Sequence, residues 1–199
     1  MLKKIAVVIF ALICSASSMA KKNVSDYVDN LVQKSLTILR DESNTTSEKM
    51  KKSEILISEN LDLEWMSKFV LGKYRRILSK EEFQDFSKLY SEFIIKSYSN
   101  AVKFYKPSHS VKILSQSNIS AEEYVVKTSL NSPDADPIRI DYVIRRFDNS
   151  GFKVFDIVTE GISLINSNQA EFTNIISTGS FQDLKKDLKA KIEALNRGK

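Results

Sequence analysis

Phe152-Lys153-Val154-Phe155-Asp156-Ile157-Val158-Thr159-Glu160-Gly161-Ile162-Ser163-Leu164 opens as a β-strand with apolar side chains on both faces. Strict alternation sets Phe152, Val154 and Val158 on one face and Phe155 and Ile157 on the other. A strand in an antiparallel meander needs one apolar face for the core and leaves the other to water. The second apolar face therefore requires either a helix layer over it or a cavity beside it. The first alternative describes a structural domain, the second a pocket of lipid size.

Upstream, residues 111–115, 124–130 and 138–147 also alternate, and with 152–159 they predict four strands. Asp148-Asn149-Ser150-Gly151 supplies a hairpin turn between the last two, and short polar connections favour an antiparallel meander. Pro133 and Pro137 bracket an acidic loop that does not fit a central strand, because proline donates no ladder hydrogen bond.

The remaining chain has helical period. Val24, Val28, Leu31, Val32, Leu36 and Leu39 form the apolar stripe of a first helix, capped at Ser25 and ending near Arg40. Ser47 caps a second, thinly apolar helix to about Ser58, and Asp62 caps a third that Gly72 stops. Ser79-Lys80-Glu81-Glu82 is a capping box opening the longest helix, whose stripe of Phe83, Phe86, Tyr90, Phe93, Ile94, Tyr98, Val102 and Tyr105 runs until Pro107. After Gly161 helical period returns through Phe172, Ile175 and Ile176 to Gly179, and Ser180 caps a last helix through Leu195. Helices before and after a run of strands predict an α+β fold, with N-terminal helices packed on a curved four-stranded antiparallel sheet and C-terminal helices added.

The amino terminus predicts export. Lys3 and Lys4 precede an uncharged apolar run from Ile5 to Ile13, and Ser18-Met19-Ala20 places small residues where a signal peptidase reads. The run is shorter than the roughly 20 residues a bilayer span requires, so 1–20 reads as a signal peptide and 21–199 as a single domain in the periplasm. Cys14 is preceded by Ile13, not by the small residue a lipid-modified cysteine follows, and it is the only cysteine. Cleavage removes it, and with it all disulfide and thiol chemistry. The formal charge is +5 and the pI about 9.1, but acidic residues are interspersed with the basic ones. That pattern serves solubility and is no nucleic-acid footprint.

The inventory argues against most catalysis. His109 is the only histidine, so no second imidazole or thiol completes a metal site or an activated nucleophile. Gly161-Ile162-Ser163 lacks the second glycine of a nucleophile elbow, and the five glycines are too scattered for a phosphate loop. No catalytic residue, metal or cofactor is assigned. One enzyme reading survives, a strand carboxylate, Asp141 or Asp156, acting with Tyr142 in an apolar cavity. Its alternative is ordinary ion pairing with Arg139, Arg145 or Lys153. The long helix, the third helix and the last strands together hold more bulky apolar side chains than one helix-on-sheet interface uses. A dry space lined by them suits acyl chains.

Leu71-Gly72-Lys73-Tyr74, the long helix with Phe93 and Tyr98-Ser99-Asn100-Ala101, Val154-Phe155-Asp156-Ile157-Val158, and Glu160-Gly161-Ile162-Ser163-Leu164 followed by Phe172 resemble the MlaC family of periplasmic phospholipid-binding proteins, also called toluene-tolerance or ABC-transporter auxiliary proteins. The resemblance implies an NTF2-like or cystatin-like cone and a monomeric, non-enzymatic carrier. Such a carrier moves glycerophospholipid between an outer-membrane lipoprotein/porin complex and an inner-membrane complex of an MCE-domain protein with an ABC transporter, and so serves outer-membrane lipid asymmetry. Acyl tails sit inside and the headgroup outside. Carried onto this chain, the lining is Phe69, Val70, Tyr74, Phe93, Ile94, Tyr98, Val102, Tyr142, Ile144, Val154, Val158, Ile162 and Leu164, with Lys73, Arg75 and Arg76 as basic residues at the mouth. Where the family often carries Trp, three residues after the glycine, this chain has Arg75, with Tyr74 beside it. The third helix with its Gly72 stop and the break at Gly161 are the expected mobile elements.

Overall fold

The computed structural model describes residues 23–147 and 151–197, so the expected signal peptide and most of the Asp148 to Gly151 turn lie outside the described residues. The helices are α1 (Val24–Arg40), α2 (Thr46–Asn60), α3 (Leu63–Leu71), α4 (Lys80–Ser99), α5 (Leu164–Thr178) and α6 (Phe181–Arg197). Short 3-10 segments, Gly72–Ile77 and Asn100–Phe104, follow α3 and α4. The strands are β1 (Ser110–Asn118), β2 (Glu123–Ser132), β3 (Ala135–Phe147), β4 (Gly151–Thr159) and β5 (Ile162–Ser163), in one sheet of order β1-β2-β3-β4-β5, each antiparallel to the next. The sheet has five strands where four are expected, because two residues are too few to show alternation.

Local capping chemistry explains most boundaries and corrects two. Asp62 caps α3 by accepting from the Trp65 N–H, and Ser79 and Glu82 close a reciprocal capping box on α4. The Ser180 hydroxyl accepts from Asp183 N–H at the start of α6. The cap of α1 is Asn23 and not Ser25; its side chain accepts from Ser25 N–H. The cap of α2 is Thr45 and not Ser47, since Glu48 stands three residues on and returns a bond to the Thr45 N–H. The long stripe ends its α-helical part at Ser99 and tightens to 3-10 before Pro107. Pro137 does lie in a central strand. β3 extends past the last β4 pairing, Ile140 opposite Thr159, so at Pro137 only β2 is alongside and the missing donor faces a local edge.

The register resolves the puzzle of β4. Ile144 pairs with Val154 but Val143 pairs with Asp156, which leaves Phe155 as an extra residue in a β-bulge. Paired residues share a face, so Phe152, Val154 and Ile157 lie on one side and Asp156 and Val158 on the other. A similar shift between Ile113 and Ser115 leaves Leu114 unpaired on β1. Bulges of this kind bend their strands. The face of Val154 carries Tyr124, Val126, Thr128 and Ile144, all buried, and packs under the helices through Tyr27 of α1 on Phe152. The opposite face carries Glu123, Lys127, Arg139, Asp141, Arg145 and Lys153. There Phe155 meets Trp65 edge-on at 4.9 Å, with the Arg145 guanidinium 4.7 Å from both rings.

One buried cluster joins these layers. Its aromatic centre is Phe86, stacked on Tyr90 and edge-on to Phe172, with Phe181 closing it from α6. Full burial of such a ring stabilises by about 1.5–3 kcal/mol, which ties α4, α5 and α6 into one layer.

Candidate functional site

The inner face of the sheet divides into two ends. Toward Phe152 it is sealed, with Val126, Ile144 and Val154 at most 1% exposed. Toward the β2–β3 turn it opens: Val111, Ile113, Leu130, Ile140, Tyr142 and Ile157 are on the same face by register, all apolar or aromatic, and all only half-buried. Ile138 and Ile162, on the same face by register, edge that end at 42% and 67% exposed. Large apolar side chains exposed together around a half-covered apolar surface mark a binding face, whereas single exposed ones need no explanation.

Tyrosine hydroxyls supply the polarity of this end. Asn168 of α5 donates to the Tyr90 hydroxyl at 2.9 Å. Tyr98 and Tyr142 pack against the core, yet neither hydroxyl has a hydrogen-bond partner among the described residues, and neither oxygen is sealed from solvent-sized space. Burial pushes all three phenols above their ordinary pKa; the Asp156 charge adds to this at Tyr90 and Tyr98, and Tyr142 adds to it at Tyr98. All three therefore remain neutral hydroxyls.

Asp156 is buried and occupied. It accepts from Ile157 N–H at 2.8 Å, Ile165 N–H at 3.2 Å and the Ser163 hydroxyl at 2.6 Å. It therefore ties the bulge to the amino terminus of α5, where a carboxylate is favoured. Asp141 is on the outer face and pairs with Arg139 at 2.7 Å. The rim beyond Asp156 is a two-residue hairpin: Thr159 pairs with Ile162, and Glu160 and Gly161 both have positive φ, 50° and 83°. Glu160 is held to β3 through its N–H on the Arg139 carbonyl and its carboxylate on the Arg139 N–H.

The expected lining residues separate into groups. Tyr98, Tyr142, Ile162 and Leu164 are half-buried or exposed toward the open end, with Ile94 buried one turn above Tyr98, and Val102 is half-buried in the 3-10 segment after α4. Val70, Ile144 and Val154 are in the sealed core. Four stand elsewhere: Phe69 stacks on Trp65, Phe93 lies under Lys191 of α6, Tyr74 under Lys73, and the bulge turns Val158 to the outer face opposite Asp141. Ile140 was legible from its parity with Tyr142; Ile157 was not, because the bulge moves it.

A family model described as MlaC protein matches residues 29–190. The chain belongs to the MlaC family. Among solved structures, a phospholipid-binding protein from Ralstonia solanacearum, in complex with a phospholipid, shares the fold at a TM-score of 0.76 and 19% identity, covering 88% of this chain and 99% of that one. In this MlaC member Leu71 is sealed in the core and Gly72 has φ 49°. That φ favours glycine, and a Cβ at Gly72 would also crowd, at 3.3 Å, the Gln169 amide that donates to the Phe69 carbonyl. Arg75 lies over the Phe83 ring at 4.1 Å, in the first turn of α4. That is about 22 Å along the helix from Tyr98, so Arg75 is remote from the open end.

Proposed function

We propose that the protein is a soluble periplasmic carrier of glycerophospholipid, with acyl tails against the open end of the sheet and the headgroup outside its rim. The observation that carries the reading is the half-covered apolar surface from Val111 to Ile157, bordered by Tyr98 and Leu164. Family membership and the phospholipid bound by the Ralstonia solanacearum protein support it. Each buried CH₂ contributes about 0.8 kcal/mol, so two tails are held without directional contacts. The family role adds the route, between an outer-membrane lipoprotein/porin complex and an inner-membrane MCE and ABC-transporter complex. The remainder from residue 21 acts as a single, monomeric domain after removal of the signal peptide. Lipid binding accounts for the site better than a carboxylate-based enzyme does, because Asp156 and Asp141 are both committed to partners.

Native mass spectrometry with lipid extraction tests this. The expected result is phospholipid near one per chain, exchangeable with vesicles. Protein that carries none and takes none up overturns the reading.

A further inference from the structure

The turn between α3 and α4 is exposed, basic and apolar at once. Lys73, Arg75, Arg76 and Lys80 fall within eight residues, and none of them forms an ion pair among the described residues. Two carboxylates follow, Glu81 and Glu82, and Glu82 is turned back onto the Ser79 N–H. Amid these cations Ile77 is 75% exposed. A 3-10 segment has three residues per turn, so side chains three apart eclipse. Over Gly72–Ile77 that sets Lys73 and Arg76 along one edge and Tyr74 and Ile77 along the next. Aromatic contacts brace the turn: the Lys73 ammonium is 5.2 Å from the Tyr74 ring and the Arg75 guanidinium 4.1 Å from the Phe83 ring.

We propose that this turn is a contact site for an anionic phospholipid bilayer, with Lys73, Arg76 and Lys80 at the level of the headgroups and Ile77 below them. An acidic protein surface would complement the cations and leave the isoleucine unmatched. A bilayer offers anionic headgroups and an apolar layer at successive depths, and a basic edge beside an apolar one fits that order, the long cationic side chains reaching back to the headgroups. Tyr98, which borders the open end of the sheet, stands at the other end of α4 from this turn, so the contact leaves the open end free. The site is separate from the proposed acyl surface, and the inference does not depend on the carrier reading.

The test is flotation of the full mature chain with phosphatidylcholine vesicles, prepared with and without phosphatidylglycerol, at about 0.15 M salt. Each basic residue near an anionic surface contributes about fivefold in binding. Wild type is expected to float with the phosphatidylglycerol vesicles only. The double variant Lys73→Gln, Arg76→Gln is expected to bind about 25-fold more weakly, and Ile77→Ser about tenfold more weakly at unchanged charge. Lys112→Gln with Lys127→Gln removes the same charge from the outer face of the sheet, and its binding is expected to stay within about twofold of wild type. Failure of wild type to bind phosphatidylglycerol vesicles, or equal weakening by the two double variants, overturns the inference. Undiminished binding by Ile77→Ser overturns it too, and leaves an acidic protein as the partner of the cations. Lys73, Arg76 and Ile77 are exposed, so their replacement leaves the core intact, and the wild-type comparison needs no substitution at all.

Discussion

Ile144 and Ile140 lie four residues apart on the same strand and the same face, yet one is sealed and the other half-covered. At the Phe152 end the sheet is packed like any protein interior, with α1 seated over it through Tyr27. At the Ile138 end an equally apolar surface lacks that closure. The difference teaches that one side-chain vocabulary serves two purposes here. On the carrier reading, cover decides between stability and binding.

The contrast is sharpest for truncation. Ile144→Ala is expected to cost about 2–5 kcal/mol in denaturant unfolding, whereas Ile140→Ala costs about 1 kcal/mol and weakens lipid uptake. Equal losses at the two sites would erase the division. Asp156→Ala strands two backbone donors and a hydroxyl, and about 2–3 kcal/mol of stability is expected to go with them. Asp141→Ala, which loses a pair with a half-exposed arginine, is expected to cost less than Asp156→Ala by the same measurement.

Added bulk probes the division from the other side. Val126→Phe overpacks the sealed end and should cost about 1–3 kcal/mol, while Val111→Phe costs little stability and lowers the amount of lipid that co-purifies. A destabilised Val111→Phe with unchanged lipid content would show that the open end is packed as tightly as the closed one. The smallest effect at neutral pH is electrostatic. Burial pushes the Tyr27 phenol up to about 12, so between pH 10 and 12 the unfolded chain loses that proton first and stability falls as pH rises. Below pH 10 this contribution is fully present. Tyr27→Phe should flatten the alkaline limb of a pH–stability curve.

How far the chain could be read follows from the range of the physics. Asp62, the Ser79 to Glu82 box and Ser180 act within one helical turn, and each was legible where it stands. Thr45, Thr46 and Ser47 are all competent caps, and only Glu48, three residues after Thr45, separates them; that signal was present and decides the boundary. Ser25 competes with Asn23 in the same way, but there no box distinguishes them. Pro137 reads correctly as unfit for a paired edge, and incorrectly as outside the strand, because strand lengths become unequal only in the sheet. In the candidate site, Tyr98, Tyr142 and Leu164 were legible as apolar surface, while the positions of Phe93 and Val158 depend on which neighbour arrives.

By itself the sequence determined periods, three of the helix caps, four of the five strands and family membership, since these rest on contacts a few residues apart or on pattern along the whole chain. The two apolar faces of the strand from Phe152 to Thr159 were a tertiary matter. One extra residue at Phe155 exchanges every later side chain between faces, sending Ile157 inward and Val158 outward. Nothing local marks it: no glycine or proline stands there, and the bulge exists through pairing with β3, the bonds of Asp156 to α5 and the packing of Phe155 on Trp65.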